Sequence, residues 1–152
     1  MARLDVGDKA PIFTLPADDG SSVALQQFAG QRVVLFFYPA DDTPGCTREA
    51  CQFNSLVTSF TKLKVQLLGV SPDNATSHLA FRKKYSLQYR LLSDEPKTVM
   101  EMYGAYGEKQ LYGKTVVGVI RSTFLISPTG RIERAWYGVR TEGHAARVLS
   151  EL

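Results

Sequence analysis

Runs of apolar residues and their spacing divide the chain into elements of two different periods. From Val33 to Tyr38 every position is apolar or aromatic, and several are β-branched, the mark of a strand buried on both faces. A second apolar run covers Val65 to Val70, and Leu91 with Leu92 predicts a short third strand. Further on, Val119 to Ile126 reads as a strand, Ser127 to Gly130 as a turn with Pro at its second position, and Ile132 to Trp136 as the hairpin partner. Near the start, Ile12 to Leu15 is a short extended piece ended by Pro16 and a cluster of turn residues. Val23 and Leu25 then alternate with polar neighbours, which predicts an outer hairpin.

Helical periods lie between these strands. Cys46, Ala50, Phe53, Val57 and Phe60 recur in steps of four and three, so one continuous helix should lay one face on the sheet. Ser71, Pro72 and Asp73 can cap a helix reaching about Tyr85. Another is expected from Pro96 to about Tyr103 with Val99, Met102 and Tyr103 inward, and a terminal one from about Thr141 to Leu152. The stretch Gly104 to Gly118, rich in Gly, Tyr and Lys, reads as a long loop. No repeat, low-complexity tract or linker interrupts residues 1–152, which predicts a single domain. Strands alternating with helices, then a hairpin, then a helix, give an α/β sandwich of the thioredoxin kind: a central mixed sheet flanked by helices, with an N-terminal hairpin.

Composition narrows the setting. The 152 residues are enough for one core without disulfide staples, and 44% hydrophobic with 22% charged residues fits a globular chain. No apolar run is long enough to span a bilayer, and MARLDVGDKAPIF lacks the apolar core of a signal peptide, so the expected location is the cytoplasm. There a cysteine pair is more often catalytic, redox-sensing or metal-binding than a staple. The net charge of +3 is mild and spread along the chain. Its one tight cluster, Arg82, Lys83 and Lys84, reads as a solvated helix face, and no nucleic-acid partner is expected.

Both cysteines lie in the stretch PADDTPGCTREAC, from Pro39 to Cys51. Thr43 is a good N-cap, and Pro44 suits the first helical position because its missing N–H would be unpaired there anyway. A helix starting at Pro44 puts Cys46 in the first turn, where unpaired N–H groups and the positive end of the helix dipole favour thiolate over thiol. The thiolate is the nucleophile, so Cys46 is the candidate attacking group. Helical positions i and i+5 are about 8.6 Å apart at Cα and face directions differing by about 140°. A disulfide needs Cα atoms within about 7 Å. Either Cys46 and Cys51 never bond, or the helix unwinds when they do. The working hypothesis is that Cys46 is oxidised, the helix locally melts and Cys51 resolves it.

Each candidate also has a plainer role. Cys46 can be a small buried hydrophobe, Cys51 a packed mid-helix residue, Pro39 a strand terminator, Thr43 a cap, and Glu49 a surface helix residue near enough to Cys46 to orient a neighbour. Arg121 stands among Val119, Ile120, Phe124, Leu125 and Ile126 in a segment made for burial. It either reaches water at a sheet end or pairs with an anion, the Cys46 thiolate or a substrate oxygen. His78 and His144 lie far apart in polar surroundings, and the Cys46 to Cys51 spacing is not that of a zinc site, so no metal is expected.

The run Pro39, Thr43, Cys46, as P-x-x-x-T-x-x-C, resembles the peroxiredoxin active-site signature. FFYPADDTPGCTREAC is similar to the bacterioferritin comigratory protein or peroxiredoxin Q branch, VGDKAPIFTLPADDG to the family's opening hairpin, and YGEKQLYGKTVVGVIRSTFLI to its arginine-bearing loop and strand. The resemblance covers about Val6 to Trp136. It implies a thiol peroxidase without cofactor that reduces hydrogen peroxide and organic hydroperoxides. In it Cys46 would be the peroxidatic thiol, Thr43 a hydrogen-bonding partner of thiolate and peroxide, and Arg121 a stabiliser of anionic sulfur. Pro39 would shield the site, Glu49 would brace the arginine, and Cys51 would resolve within the chain. Other members carry the resolving cysteine in the next helix, around Ser77 to Lys84 here, where this chain has none. Thioredoxin, with glutaredoxin as an alternative, is the implied reductant, and a monomer the implied state. Two other classes stay open on the residues alone: a protein thiol-disulfide oxidoreductase, against which the lack of C-x-x-C counts, and a redox-switched binding or chaperone module.

Overall fold

A computed structural model describes residues 3–152. Five strands form the central sheet in the order β5-β4-β3-β8-β9, built from β3 (Arg32–Phe37), β4 (Val65–Ser71), β5 (Arg90–Ser93), β8 (Ser122–Ile126) and β9 (Ile132–Tyr137). The first three run parallel; β8 is antiparallel to β3 and β9 antiparallel to β8. Strand β3 sits in the middle, and its alternate residues feed two separate cores, as its unbroken apolar run predicted. Val33, Leu35 and Phe37 pack on one face with Met100, Tyr103 and Phe124. On the other face Val34, Phe36 and Tyr38 pack with Cys46, Phe53, Phe60 and Phe81.

The helices on that second face are α1 (Pro44–Ser55), α2 (Val57–Lys62), α3 (Ala75–Tyr85) and α5 (His144–Ser150). Two consecutive right-handed crossovers moving in one direction along a sheet put their helices on the same side, which accounts for α1, α2 and α3. The opposite face is covered by α4 (Thr98–Met102) and by the N-terminal hairpin of β1 (Thr14–Pro16) and β2 (Ser22–Ala24), with a 3-10 turn over Leu25–Phe28. The result is the mixed-sheet sandwich of the thioredoxin fold, with the N-terminal hairpin where the sequence put it.

Several local expectations are corrected. The helix expected to run unbroken to Phe60 breaks at Leu56, whose φ of −105° and ψ of 5° leave the helical region. Ser55 turns its hydroxyl back onto the Gln52 carbonyl at 2.7 Å, and Val57 and Thr58 are β-branched, so the junction has little helical preference of its own. Asn74, not Ser71 to Asp73, caps α3, its side chain accepting from Ser77 N at 2.9 Å. In α4 the fully buried methionine is Met100, while Met102 is half-buried. Arg82 is only partly solvated, because its guanidinium reaches the buried Asp18 carboxylate at 3.0 Å; Lys83 and Lys84 are exposed as expected.

The predicted loop from Gly104 to Gly118 is instead a hairpin of β6 (Tyr106–Leu111) and β7 (Lys114–Val119). Tyr112 and Gly113 form its two-residue turn with φ of 51° and 77°, the left-handed pair a tight hairpin needs. Strand β8 starts at Ser122, so Arg121 lies just before a strand and not inside one.

Candidate active site

The site lies at the carboxyl ends of the parallel strands, the end at which open α/β sheets bind ligands. Phe37 at the end of β3 pairs with Ser122 at the start of antiparallel β8, so the next residue outward on each side, Tyr38 and Arg121, leaves the sheet at the same place. That register brings a cation to the loop preceding α1. Its backbone is fixed by Val139 N donating to the Arg121 carbonyl at 3.0 Å.

Helix α1 begins at Pro44 with Thr43 in extended N-cap geometry, as the sequence predicts. The Thr43 hydroxyl, however, donates to the Ala40 carbonyl at 2.9 Å and does not cap the helix. The first turn is therefore left without a side-chain acceptor, and its N–H groups remain oriented toward an anion. Cys46 stands in that turn, 2% exposed, on the inward stripe of the helix. Cys51 faces another direction and is half-buried; both are free thiols, and burial pushes the Cys51 thiol above its ordinary value.

Arg121 joins two of the candidate residues. Its Nη2 donates to Cys46 Sγ at 3.3 Å and its Nη1 to Glu49 Oε1 at 2.7 Å. A guanidinium bonded to sulfur on one arm and carboxylate on the other is held as a planar fork, which a lysine could not reproduce. Gly45 makes the approach possible: a Cβ there would sit 3.3 Å from Arg121 Nη2.

Glu49 is fully buried, contrary to its plain reading as a surface residue. Burial raises its carboxyl to about 7, with the Arg121 guanidinium pulling in the other direction, and its Oε2 has no hydrogen-bond partner. Desolvation of a carboxylate bonded through one oxygen explains the direction. Thr43 is exposed and Pro39 half-buried, both flanking the helix start. Pro39, Thr43, Cys46, Glu49 and Arg121 thus gather at one sheet end, with Cys51 one turn deeper along α1.

The histidines lie outside this cluster and are buried, each against polar partners. His144 Nε2 meets Thr123 Oγ1 at 2.8 Å, and burial lowers its ring to about 4. His78 meets Asp41 and the Leu92 carbonyl. Among the described residues the one grouping with metal-ligand spacing is Asp41, Asp73 and His78, which includes neither cysteine. The sequence reading missed Asp41 and its contact with His78. The two adjacent aspartates before the helix were a visible signal, whereas the residues they meet are about forty positions away.

Comparison with known proteins bears on the family and the fold. The model of the AhpC/TSA family matches residues 6–135. Peroxiredoxin Bcp of Escherichia coli is 42% identical over 152 residues, covering 100% of this chain and 97% of that one. Among solved structures, a cysteine mutant of Xylella fastidiosa PrxQ superposes with a TM-score of 0.92 at 35% identity, covering 99% of this chain and 96% of the other. The bacterioferritin comigratory protein of Xanthomonas campestris, solved as trapped intermediate and ligand complexes bearing on its alkyl peroxide reduction activity, gives a TM-score of 0.88 at 38% identity over 99% and 96% of the two chains.

Proposed function

The chain belongs to the AhpC/TSA family and within it to the Bcp/PrxQ peroxiredoxins, and from that premise we propose a thiol peroxidase acting on hydrogen peroxide and organic hydroperoxides through Cys46. The Cys46 thiolate attacks one peroxide oxygen; an S–O bond forms, the O–O bond breaks, and the departing alkoxide or hydroxide takes a proton to leave as alcohol or water. Cys51 then attacks the sulfenic sulfur, forming the disulfide and releasing water. A dithiol reductant, thioredoxin in this proposal with glutaredoxin as the alternative, returns both cysteines to thiols. Arg121 stabilises the sulfur anion and the negative charge developing on the oxygens, Glu49 braces Arg121, Thr43 orients the peroxide, and Pro39 limits water at the rim. The enzyme works as a monomer in the cytoplasm, without metal or organic cofactor.

The observation that carries this proposal is the 3.3 Å contact between Arg121 Nη2 and Cys46 Sγ at the uncapped start of α1. Neither a packed structural cysteine nor a protein oxidoreductase lacking a second nearby thiol needs a guanidinium on its sulfur. The alkyl peroxide activity named for the Xanthomonas relative favours including organic hydroperoxides among the substrates.

Peroxide consumption driven by thioredoxin, thioredoxin reductase and NADPH tests it, with each cysteine replaced in turn. Cys46→Ser should abolish turnover, and Cys51→Ser should leave one round of oxidation without a disulfide. Mass mapping after one equivalent of hydrogen peroxide should find Cys46 joined to Cys51. A stable sulfenic acid with no disulfide in the unmodified protein would remove Cys51 from the mechanism.

A further inference from the structure

The loop between β3 and α1 carries Pro39 and Thr43 and fixes where α1 starts, yet it has no regular structure of its own. Its hold on the rest of the molecule comes through two adjacent aspartates. Asp42, at a left-handed φ of 57°, reaches Lys84 Nζ at 2.7 Å and the Tyr85 hydroxyl at 2.6 Å, both exposed contacts on the last turn of α3. Exposed pairs of this kind contribute little. Asp41 makes the buried contacts. Its backbone N donates to Asp73 Oδ2 at 2.7 Å, and Oδ1 accepts from the Tyr38 hydroxyl at 2.6 Å. Oδ2 accepts from Ser77 Oγ at 2.8 Å and meets His78 Nδ1 at 2.7 Å. The far side of the same imidazole, Nε2, lies 2.9 Å from the Leu92 carbonyl of β5.

Hydrogen-bond chemistry fixes how many protons this arrangement contains. A carbonyl oxygen only accepts, so Nε2 carries a hydrogen. Two bare lone pairs would repel at the 2.7 Å that separates Nδ1 from Asp41 Oδ2, so a second proton lies between them. The side chains of His78 and Asp41 are 0% and 4% exposed, so this proton is held away from water. The pair is buried with that proton between its partners, and Tyr38 and Ser77 satisfy the remaining lone pairs of Asp41. That is the condition under which a buried pair holds its geometry firmly and its disruption is costly.

We propose that Asp41 and His78 are positioning residues for the peroxidatic centre: the pair pins the 39–43 loop to α3 and β5 and thereby sets where Cys46 meets Arg121. The proposal rests on Cys46 being the peroxidatic thiol. Thr43 contributes no anchor, since its hydroxyl bonds only to Ala40 within the same loop, and Pro39 has no N–H to donate. Arg121 arrives from the opposite side, from the junction of β7 and β8. The two halves of the site are therefore built on different elements, and Asp41 aligns one with the other. Displacements of about 1 Å in such a site cost on the order of 100-fold in rate.

The test compares the second-order rate of Cys46 oxidation by hydrogen peroxide in Asp41→Asn, His78→Gln, their double variant and Ser77→Ala, each with its melting temperature. At a temperature well below every midpoint, Asp41→Asn and His78→Gln should each oxidise at least about tenfold more slowly, and the double variant no slower than the worse single one, because the pair acts as a unit. Ser77→Ala removes one donor to Asp41 and leaves the pair, so a loss of about two- to fivefold is expected. If Asp41→Asn or His78→Gln does not fold, Ser77→Ala decides. Nitrogen-15 NMR of the unmodified protein should also find a hydrogen on His78 Nε2, facing the Leu92 carbonyl. Folded variants that all oxidise within twofold of the unmodified protein would overturn the positioning role. Failure of the unmodified protein to oxidise at Cys46 would instead overturn the peroxidatic assignment.

Discussion

Arg121 Nη2 is 3.3 Å from Cys46 Sγ although the two residues are 75 positions apart in the chain. The contact exists because antiparallel β8 begins where parallel β3 ends. A hydrogen bond to an ionised sulfur is worth about 1.5–3 kcal/mol, equivalent to about 10- to 150-fold in rate if it is expressed fully in the reacting state. Arg121→Ala should therefore slow both peroxide oxidation and iodoacetamide alkylation of Cys46 at neutral pH. Arg121→Lys should recover little, since one ammonium cannot bond Sγ and Glu49 together. Equal alkylation rates in all three proteins would show that the guanidinium does not act on the thiolate.

What could be seen in the sequence was what neighbouring residues decide. Thr43 and Pro44 announced the start of α1, and the steps from Cys46 to Phe53 announced its buried face; both rest on local preferences. The run from Val33 to Tyr38 announced the central strand, observed over Arg32–Phe37, for the same reason. Long-range partners were not legible. Glu49 looked like a surface residue until Arg121 arrived from 72 positions away, and the partners of His78, Asp41 and the Leu92 carbonyl, lie 37 and 14 positions from it. The β6–β7 hairpin was hidden by its glycines and lysines. Its signal was the Tyr112-Gly113 pair between two six-residue strands, a turn in which tyrosine takes a conformation that most residues avoid.

Glu49 predicts a pH dependence of stability. Its carboxyl sits at about 7 in the folded protein against an ordinary 4.5. Between these values the folded state holds a proton that the unfolded state has released. The stabilising contribution is then complete below about pH 4.5 and is lost as pH rises through about 7, each unit of separation being worth about 1.4 kcal/mol. Urea unfolding of the reduced protein at pH 5 and pH 8 should show the unmodified chain losing stability relative to Glu49→Gln as pH rises. Parallel curves for the two proteins would mean that the Arg121 charge compensates the burial completely.

Gly45 separates rate from stability. The backbone there is not left-handed, so alanine is allowed, but its Cβ would press on Arg121 Nη2 at 3.3 Å. That nitrogen is the one bonded to Cys46. Replacing glycine by alanine inside a helix favours the folded state by up to about 1 kcal/mol, less so in a first turn. Gly45→Ala should accordingly melt at or slightly above the unmodified protein while oxidising several-fold more slowly. A variant with both properties unchanged would show that the guanidinium yields without losing its contact.

If Cys51 resolves Cys46 as proposed, Tyr89 should limit how far α1 opens. Its buried hydroxyl donates to the Ala50 carbonyl at 2.7 Å, one residue before Cys51. Farther along, Asn54 is bonded to Ser86 O at 3.1 Å and accepts from Gln88 N at 2.8 Å, so the second half of α1 is tied to the chain leading into β5. In the first half Arg121 holds Cys46 and Glu49, and under the proposed mechanism its hold on Cys46 should weaken when the sulfur is oxidised. Unwinding should then run from Pro44 inward, pass the long 3.4 Å contact of Arg48 with Thr141, and meet its first buried tie at Ala50. Closing the gap from about 8.6 Å to disulfide distance requires that point to yield or the segment before it to fold back. Tyr89→Phe removes about 1 kcal/mol of that hold, which corresponds to about fivefold in the opening equilibrium. Under excess peroxide the variant should form the Cys46 to Cys51 disulfide faster and accumulate less Cys46 sulfinic acid, read by mass spectrometry over a series of peroxide concentrations. An unchanged ratio of disulfide to sulfinic acid would place the whole rearrangement between Pro44 and Glu49, with Ala50 still bonded to Tyr89 in the oxidised protein.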